Sequence, residues 1–162
     1  MTKDVMIAIT GLQFDNEGDE PVEVVSQGKY YKKNGKHFIL YDEYMTENSF
    51  GYGESMPEGV IDADCTKNTV ILSEGLVEII KSGAANVHMI FEEGKKNVTS
   101  YGTPFGELII STHTTKVEME ETEDEIVVRL TYGLDMNYSY ISDCSILIKI
   151  TNLDREHSEI SL

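Results

Sequence analysis

Residues 138–150 read YSYISDCSILIKI, and nearly every second residue in this stretch is apolar or aromatic. Side chains alternate between the two faces of a β-strand, so the pattern predicts a long strand with one buried face. Half-buried antiparallel strands of this length are typical of sandwiches and barrels. The predicted buried face carries the following residues: Tyr138, Tyr140, Cys144, Ile146, Ile148 and Ile150.

Similar alternating stretches recur along most of the chain. Val5, Ile7 and Ile9 share one face of a first strand, and Asn34-Gly35 is the strongest hairpin signal in the sequence. We expect about nine or ten strands with short connections and no helix. This all-β pattern predicts an antiparallel up-and-down meander, and closing the meander into a barrel removes its exposed edges. A two-sheet sandwich with Greek-key crossings is the alternative, since periodicity does not separate the two.

The chain of 162 residues fits one domain that can bury a core without disulfide bonds. We predict a single β-barrel domain over residues 1–152 and a polar C-terminal tail over residues 153–162. Residues 45–64 interrupt the strand pattern with three glycines and a proline among acidic and small residues. That composition predicts a loop or flap inserted between two strands.

The charge and the cysteine content indicate which partners and which cellular compartment to expect. There are 29 acidic and 13 basic residues, for a net charge of −16. Such a surface repels phosphate backbones and anionic lipids, so we expect neither nucleic-acid nor membrane partners. Cys65 and Cys144 lie far apart and form no CxxC pair, which favours reduced thiols and a cytoplasmic location.

Catalytic and metal-binding motifs are missing from the sequence. It contains no GxSxG, phosphate loop, HExxH or GxGxxG, and its histidines are scattered singly. We therefore predict no catalytic residue, no metal site and no cofactor. His113 shares a predicted face with Ser111 and Thr115, a combination that could line a wet cavity. The solvent face of an edge strand fits the same pattern better.

Several stretches together resemble a known family. The most specific is Tyr101-Gly102-Thr103-Pro104-Phe105-Gly106, which is followed by the Thr-rich strand at residues 111–114. On these residues the chain resembles the YwiB-like family of small bacterial proteins, a domain of unknown function with a calycin-type (lipocalin-like) β-barrel. The supporting stretches cover nearly the whole chain and include Gly28-Lys29-Tyr30-Tyr31, Tyr41-Asp42-Glu43, Lys81-Ser82-Gly83, residues 89–94, residues 130–134 and Ile146-Leu147-Ile148.

The resemblance implies a calycin-like barrel but no activity, because the family has none established. Lys81 stands where the family's arginine is expected, and the two-point contacts that arginine makes do not carry over to lysine. The chain has no tryptophan, whereas true lipocalins carry a Gly-x-Trp near the first strand. Their ligand pocket is therefore not transferred to this protein.

Three functional hypotheses follow, and binding of a small molecule inside the barrel leads them. An eight-stranded barrel is just wide enough to be filled by side chains or to hold one small ligand. The candidate lining consists of polar groups on predicted strands: Tyr41, Glu43, Lys81, Tyr101, His113 and Tyr132.

The second hypothesis is an interaction module, for example a homodimer, that uses the Tyr-rich strands or residues 45–64. The third is an enzyme that uses the same cavity, with Glu43 or His113 as general base and Lys81 as electrostatic partner. The enzyme ranks last because no recognisable catalytic arrangement supports it.

Overall fold

The computed structural model describes residues 1–11, 23–44, 65–83, 86–103 and 106–153, with only the backbone of Tyr44 and of residues 101–103. The predicted loop at 45–64 lies outside the described residues. So does the predicted tail beyond Leu153. Among the described residues there is no helix, and hence none that could cross a membrane.

Ten strands make up the described part of the chain. They are β1 (Asp4–Thr10), β2 (Glu23–Lys33), β3 (Lys36–Tyr44), β4 (Cys65–Ser73), β5 (Leu76–Gly83), β6 (Val87–Glu92), β7 (Lys96–Thr103), β8 (Gly106–Glu121), β9 (Glu125–Met136) and β10 (Ser139–Asn152). All ladders are antiparallel, and the spatial order is β6-β5-β4-β3-β2-β1-β10-β9-β8-β7. Every ladder joins strands adjacent in sequence, except that β1 also pairs with β10. The predicted meander is therefore confirmed, and the Greek-key alternative is wrong.

The barrel is nearly closed by contacts that are not a regular ladder. β6 and β7 are the two ends of the sheet and face each other across a seam. At the seam, Gly94 N donates to Thr114 O at 2.8 Å, and Thr114 N donates to Lys95 O at 3.1 Å. The Thr112 hydroxyl donates to the Ile90 carbonyl at 2.9 Å. With ten strands the barrel is wider than the eight-stranded one used in the ligand-binding argument.

The inner wall follows the predicted alternation where the strands are regular. Val5, Ile7 and Ile9 are buried, and so are Ile146, Ile148 and Ile150. The Asn34-Gly35 hairpin is confirmed, with both φ angles positive (54° and 78°) as a type I′ turn requires. Burial of these aliphatic side chains is the main favourable contribution to the fold.

The predicted face of β10 is wrong at its start. Tyr138 lies in the turn before the strand and is 78% exposed, and Tyr140 is also exposed. The ladder with β9 skips Ile141, which forms a bulge. A bulge adds one unpaired residue and reorients the strand locally, so the two tyrosines do not join the core.

A second bulge changes the faces of β8. The register passes from Thr114 opposite Tyr132 to Lys116 opposite Thr131, which leaves Thr115 as the extra residue. His113 and Thr115 are exposed, as the solvent-face interpretation expected, but Ser111 is buried. The edge-strand part of that interpretation is wrong, because β8 pairs with both β7 and β9. The shift of register also turns Val117 inward to pack against the core.

One end of the barrel carries the polar residues discussed below. We call it the Glu43 end; there β3 and β5 finish while β4 and β6 begin. The β2–β3 ladder stops at the pair Lys29–Leu40, so the last residues of β3 pair only with β4 among the described residues. At this end β2 and β3 therefore share no ladder among the described residues.

Candidate functional site

A hydrogen-bonded polar cluster lies on the inner wall of β3, β4 and β5. The Lys81 ammonium donates to Glu43 Oε1 at 3.1 Å and to Asn68 Oδ1 at 2.8 Å. The Asn68 amide donates to the same Glu43 oxygen at 3.4 Å and to the Thr66 carbonyl at 3.3 Å. We refer to Glu43, Asn68 and Lys81 as the Lys81 cluster.

Strand register explains why these side chains meet. Asn68 lies directly opposite Lys81 in the β4–β5 ladder, and Glu43 lies opposite Thr66 in the β3–β4 ladder. Residues opposite each other in antiparallel strands project from the same face of the sheet. All three side chains therefore occupy two adjacent rows of the inner wall at the Glu43 end.

The cluster is partly open to solvent. Asn68 is 1% exposed, whereas the side chains of Lys81 and Glu43 are 20% and 36% exposed. A lysine this far inside a barrel requires compensating partners, and the carboxylate and amide supply them. Because Oε1 accepts both hydrogen bonds, Glu43 Oε2 has no partner among the described residues. Within the described residues, the cluster presents a carboxylate oxygen and an ammonium group side by side.

Tyr41 lies beside the cluster, in the same cross-strand row as Asn68 and Lys81. It is buried and directly opposite Asn68 in the β3–β4 ladder. Burial raises the pKa of the Tyr41 phenol well above its usual range, and the charge of Glu43 acts in the same direction. The phenol is therefore protonated at every physiological pH.

The structure places the six predicted lining residues in different parts of the barrel. Tyr41, Glu43 and Lys81 are neighbours on one wall. Tyr132 is buried on β9, where its ring contacts Phe91 at a centroid distance of 4.9 Å. His113 is exposed on the outer side of β8.

Tyr101 lies on β7, but its side chain is outside the described part of the structure. Asn68 was missed, although Thr66, Asn68, Val70 and Leu72 alternate in the sequence and are all buried. Two polar residues, Thr66 and Asn68, that continue the inward alternation of Val70 and Leu72 were the available signal.

A second polar cluster closes the opposite end of the barrel. The Tyr30 hydroxyl lies 2.7 Å from His37 Nδ1, and His37 Nε2 lies 3.4 Å from Glu121 Oε1. Burial lowers the pKa of His37, although the Glu121 carboxylate opposes this effect. The cluster ties β2 and β3 to the end of β8. In the sequence His37 is only an isolated histidine, and no local pattern indicates its contact with Tyr30 and Glu121.

The outer wall contains a groove of about 510 Å³ over β1–β5. Two exposed ion pairs border it, Lys29 with Asp4 and Lys67 with Asp42, the latter at 3.8 Å. The described residues contain no group of three or more metal-binding side chains. The Lys81 cluster thus remains the strongest candidate site on the inner wall.

Comparison with known proteins places the fold in a family. A family model described as a domain of unknown function (DUF1934) matches residues 7–148. The chain belongs to this family. The uncharacterized beta-barrel protein YwiB of Bacillus subtilis (strain 168) is 27% identical over 120 residues, which cover 74% of this chain and 73% of that protein. The predicted YwiB-like family membership is confirmed.

The crystal structure of the ywiB protein from Bacillus subtilis has the same fold. It matches with a TM-score of 0.67 at 22% identity and covers 94% of this chain and 93% of that one. The predicted β-barrel of this DUF1934 protein is confirmed by this match. The calycin-type assignment within the β-barrels stays a prediction.

Proposed function

We propose that this DUF1934 protein binds a small molecule at the Glu43 end of its barrel, against the Lys81 cluster. The observation that carries the proposal is the hydrogen-bonded set of a lysine, a carboxylate and an amide on the inner wall at the Glu43 end. Ligand sites are typically apolar concavities with a few convergent polar groups that fix the ligand's orientation. The predicted binding domain is residues 1–152.

The chemistry of the cluster restricts the ligand class. Lys81 and Glu43 compensate each other's charge, and the chain as a whole is strongly acidic. A ligand of net negative charge is therefore disfavoured. A small zwitterionic or amide-bearing molecule fits best, because it presents an acceptor to Lys81 and a donor to Glu43 Oε2.

Each residue has a distinct proposed role. Lys81 donates to the ligand, and Glu43 accepts from it. Asn68 acts as a positioning residue because it is buried and bonded to both charged groups. Tyr41 forms the floor of the site. Since His113 is exposed on the outer side of β8, we leave it out of the proposed lining.

A thermal-shift screen tests the proposal with a panel of free amino acids and small primary amides. We expect at least one of them to raise the melting temperature of the wild type and to lose that effect in Lys81→Met. Lys67→Met is the matched control, because Lys67 lies on the outer face of β4, the strand that pairs with the Lys81 strand β5. A stabilising compound that acts equally on Lys81→Met would contradict the proposed site.

A second candidate function, an interaction module, has one specific observation in its favour. Tyr31 and Phe38 stack in parallel on the outer wall, with ring centroids 4.8 Å apart, and Tyr31 is exposed. Exposed aromatic side chains are enriched in interfaces. A homodimer through this pair would dissociate on Tyr31→Ser, as measured by light scattering. Monomeric wild-type protein at high concentration would contradict it.

We further propose a cytoplasmic protein without nucleic-acid or membrane partners. The proposal is supported by the acidic composition and by Cys65 and Cys144, which are both free thiols. In the enzyme hypothesis, the version with His113 as general base loses support because His113 lies on the outer face, whereas Glu43 does contact Lys81 at 3.1 Å.

A further inference from the structure

Three buried side-chain polar atoms in the described part of the chain have no hydrogen-bond partner. They are Asn97 Nδ2, Thr114 Oγ1 and the Tyr132 hydroxyl. Native structures contain few such atoms, because each unmade hydrogen bond in the interior is unfavourable. The position of these three atoms therefore indicates where a further hydrogen-bond partner could lie.

All three atoms belong to one region of the inner wall. Thr114 lies directly opposite Tyr132 in the β8–β9 ladder. Asn97 lies opposite Thr112, two residues before Thr114 on the same face of β8. The three side chains thus occupy two successive rows of the inner wall of β7, β8 and β9.

The neighbouring polar groups do not satisfy them. The Thr112 hydroxyl is already bonded to the Ile90 carbonyl, and the Cys144 thiol lies 3.3 Å from the Ser142 hydroxyl. Burial raises the pKa of Tyr132, and the Cys144 thiol adds to the shift without forming a hydrogen bond of ordinary geometry. The phenol is therefore protonated and able to donate.

We infer that this wall is a binding site for an uncharged, oxygen-bearing molecule with an apolar or aromatic body. An amide N–H and two hydroxyls can all donate to a carbonyl or hydroxyl oxygen, and none of the three side chains carries a charge. Thr114 is 0% exposed and Tyr132 is 2% exposed, so bulk water does not reach them. Phe91, whose ring is tilted by 58° against Tyr132, supplies an aromatic surface for the body of the molecule.

The site is separate from the Lys81 cluster, which lies on β3–β5, and it does not depend on the function proposed above. It lies beside the seam between β6 and β7, which share no ladder in the described part.

Titration of the full-length protein with three probes, followed by NMR, tests the inference. Acetophenone carries a neutral carbonyl, ethylbenzene lacks the oxygen, and benzoate carries a charge. We expect acetophenone to bind more tightly than ethylbenzene and to shift the signals of Tyr132 and Phe91. Loss of one hydrogen bond of ordinary strength, in Tyr132→Phe or Thr114→Val, should weaken acetophenone binding about fivefold.

Matched variants separate the outcomes. Thr114→Ser retains the hydroxyl and should retain acetophenone binding, and Tyr138→Phe removes an exposed hydroxyl in the turn before β10 and should change nothing. Equal binding of acetophenone and ethylbenzene, or no loss in Tyr132→Phe, would overturn the inference. So would a long-lived water that still transfers magnetisation to the Tyr132 hydroxyl at saturating acetophenone. Benzoate binding as tight as acetophenone binding, with the same loss in Tyr132→Phe, would also overturn it, because the site would then accept a charged molecule.

Discussion

Replacing Lys81 by methionine tests the physical basis of the candidate site. Methionine keeps an unbranched side chain of similar length but removes the ammonium that bonds to Glu43 and Asn68. Asn68 is only 1% exposed, so its Oδ1 would stay buried after losing the Lys81 donor. Leaving a buried acceptor unsatisfied costs about 1–3 kcal/mol. Glu43 is more exposed and can be rehydrated, so we assign the whole expected loss, about 1–3 kcal/mol, to Asn68.

The control is Lys67→Met, one residue before Asn68 on β4. Lys67 and Asp42 are 3.8 Å apart on the outer wall, with side chains 76% and 47% exposed. Exposed pairs of this kind contribute about 0–1 kcal/mol. Both variants remove one positive charge from the same sheet, so the difference between them isolates the effect of the inner-wall contacts.

Equilibrium unfolding in urea, followed by circular dichroism, measures both free energies. The slope of the unfolding free energy against urea concentration should be unchanged, since the fold and its buried area are retained. A double-mutant cycle with Glu43→Gln should give a coupling energy of about 0.5 kcal/mol or more between Glu43 and Lys81. If Lys81→Met lowers the free energy of unfolding no more than Lys67→Met does, the hydrogen bonds of the cluster do not stabilise the barrel, and the argument is refuted.

Three further predictions concern the backbone and the opposite end of the barrel. Tyr138 has a φ of +68° in its turn, so Tyr138→Gly should raise the unfolding free energy by about 0.5–1 kcal/mol, and a lower urea midpoint would contradict this. A Cβ on Gly28 would lie 2.8 Å from the Leu40 carbonyl oxygen, so Gly28→Ala should cost about 1–3 kcal/mol, and an unchanged midpoint would show that the strands separate easily. Because the folded pKa of His37 lies below its usual 6.5, the unfolded chain binds more protons as the pH falls through 6.5, and stability should fall with it. His37→Gln should remove this part of the pH dependence and His113→Gln should not; an identical pH profile in both would contradict the assignment.

The sequence predicts the strands of this protein better than their faces. Alternation at Val5, Ile7 and Ile9 and the Asn34-Gly35 turn are local signals, and both are confirmed. The bulges at Ile141 and Thr115 give no such local signal. Each adds one residue to its strand, so the side chains on one side of the bulge point to the opposite face from the one that simple alternation predicts. Neither bulge has a glycine or another residue type that marks it in the sequence.

The candidate site was predictable only in part, for a related reason. Tyr41, Glu43 and Lys81 meet because the β3–β4–β5 register aligns them, and register follows from ladders that the sequence does not display. Polar residues on other strands, such as His113, were equally good candidates by residue type alone. The structure separates them by the face of the strand on which each one lies.

Native mass spectrometry of freshly purified wild-type protein beside Lys81→Met tests most directly whether the Lys81 cluster holds a small ligand. We predict additional mass on the wild type that disappears on denaturation and is absent from Lys81→Met. The same additional mass on both proteins would place the ligand elsewhere. Bare polypeptide masses for both proteins would contradict the proposal that the barrel carries a ligand at its Glu43 end.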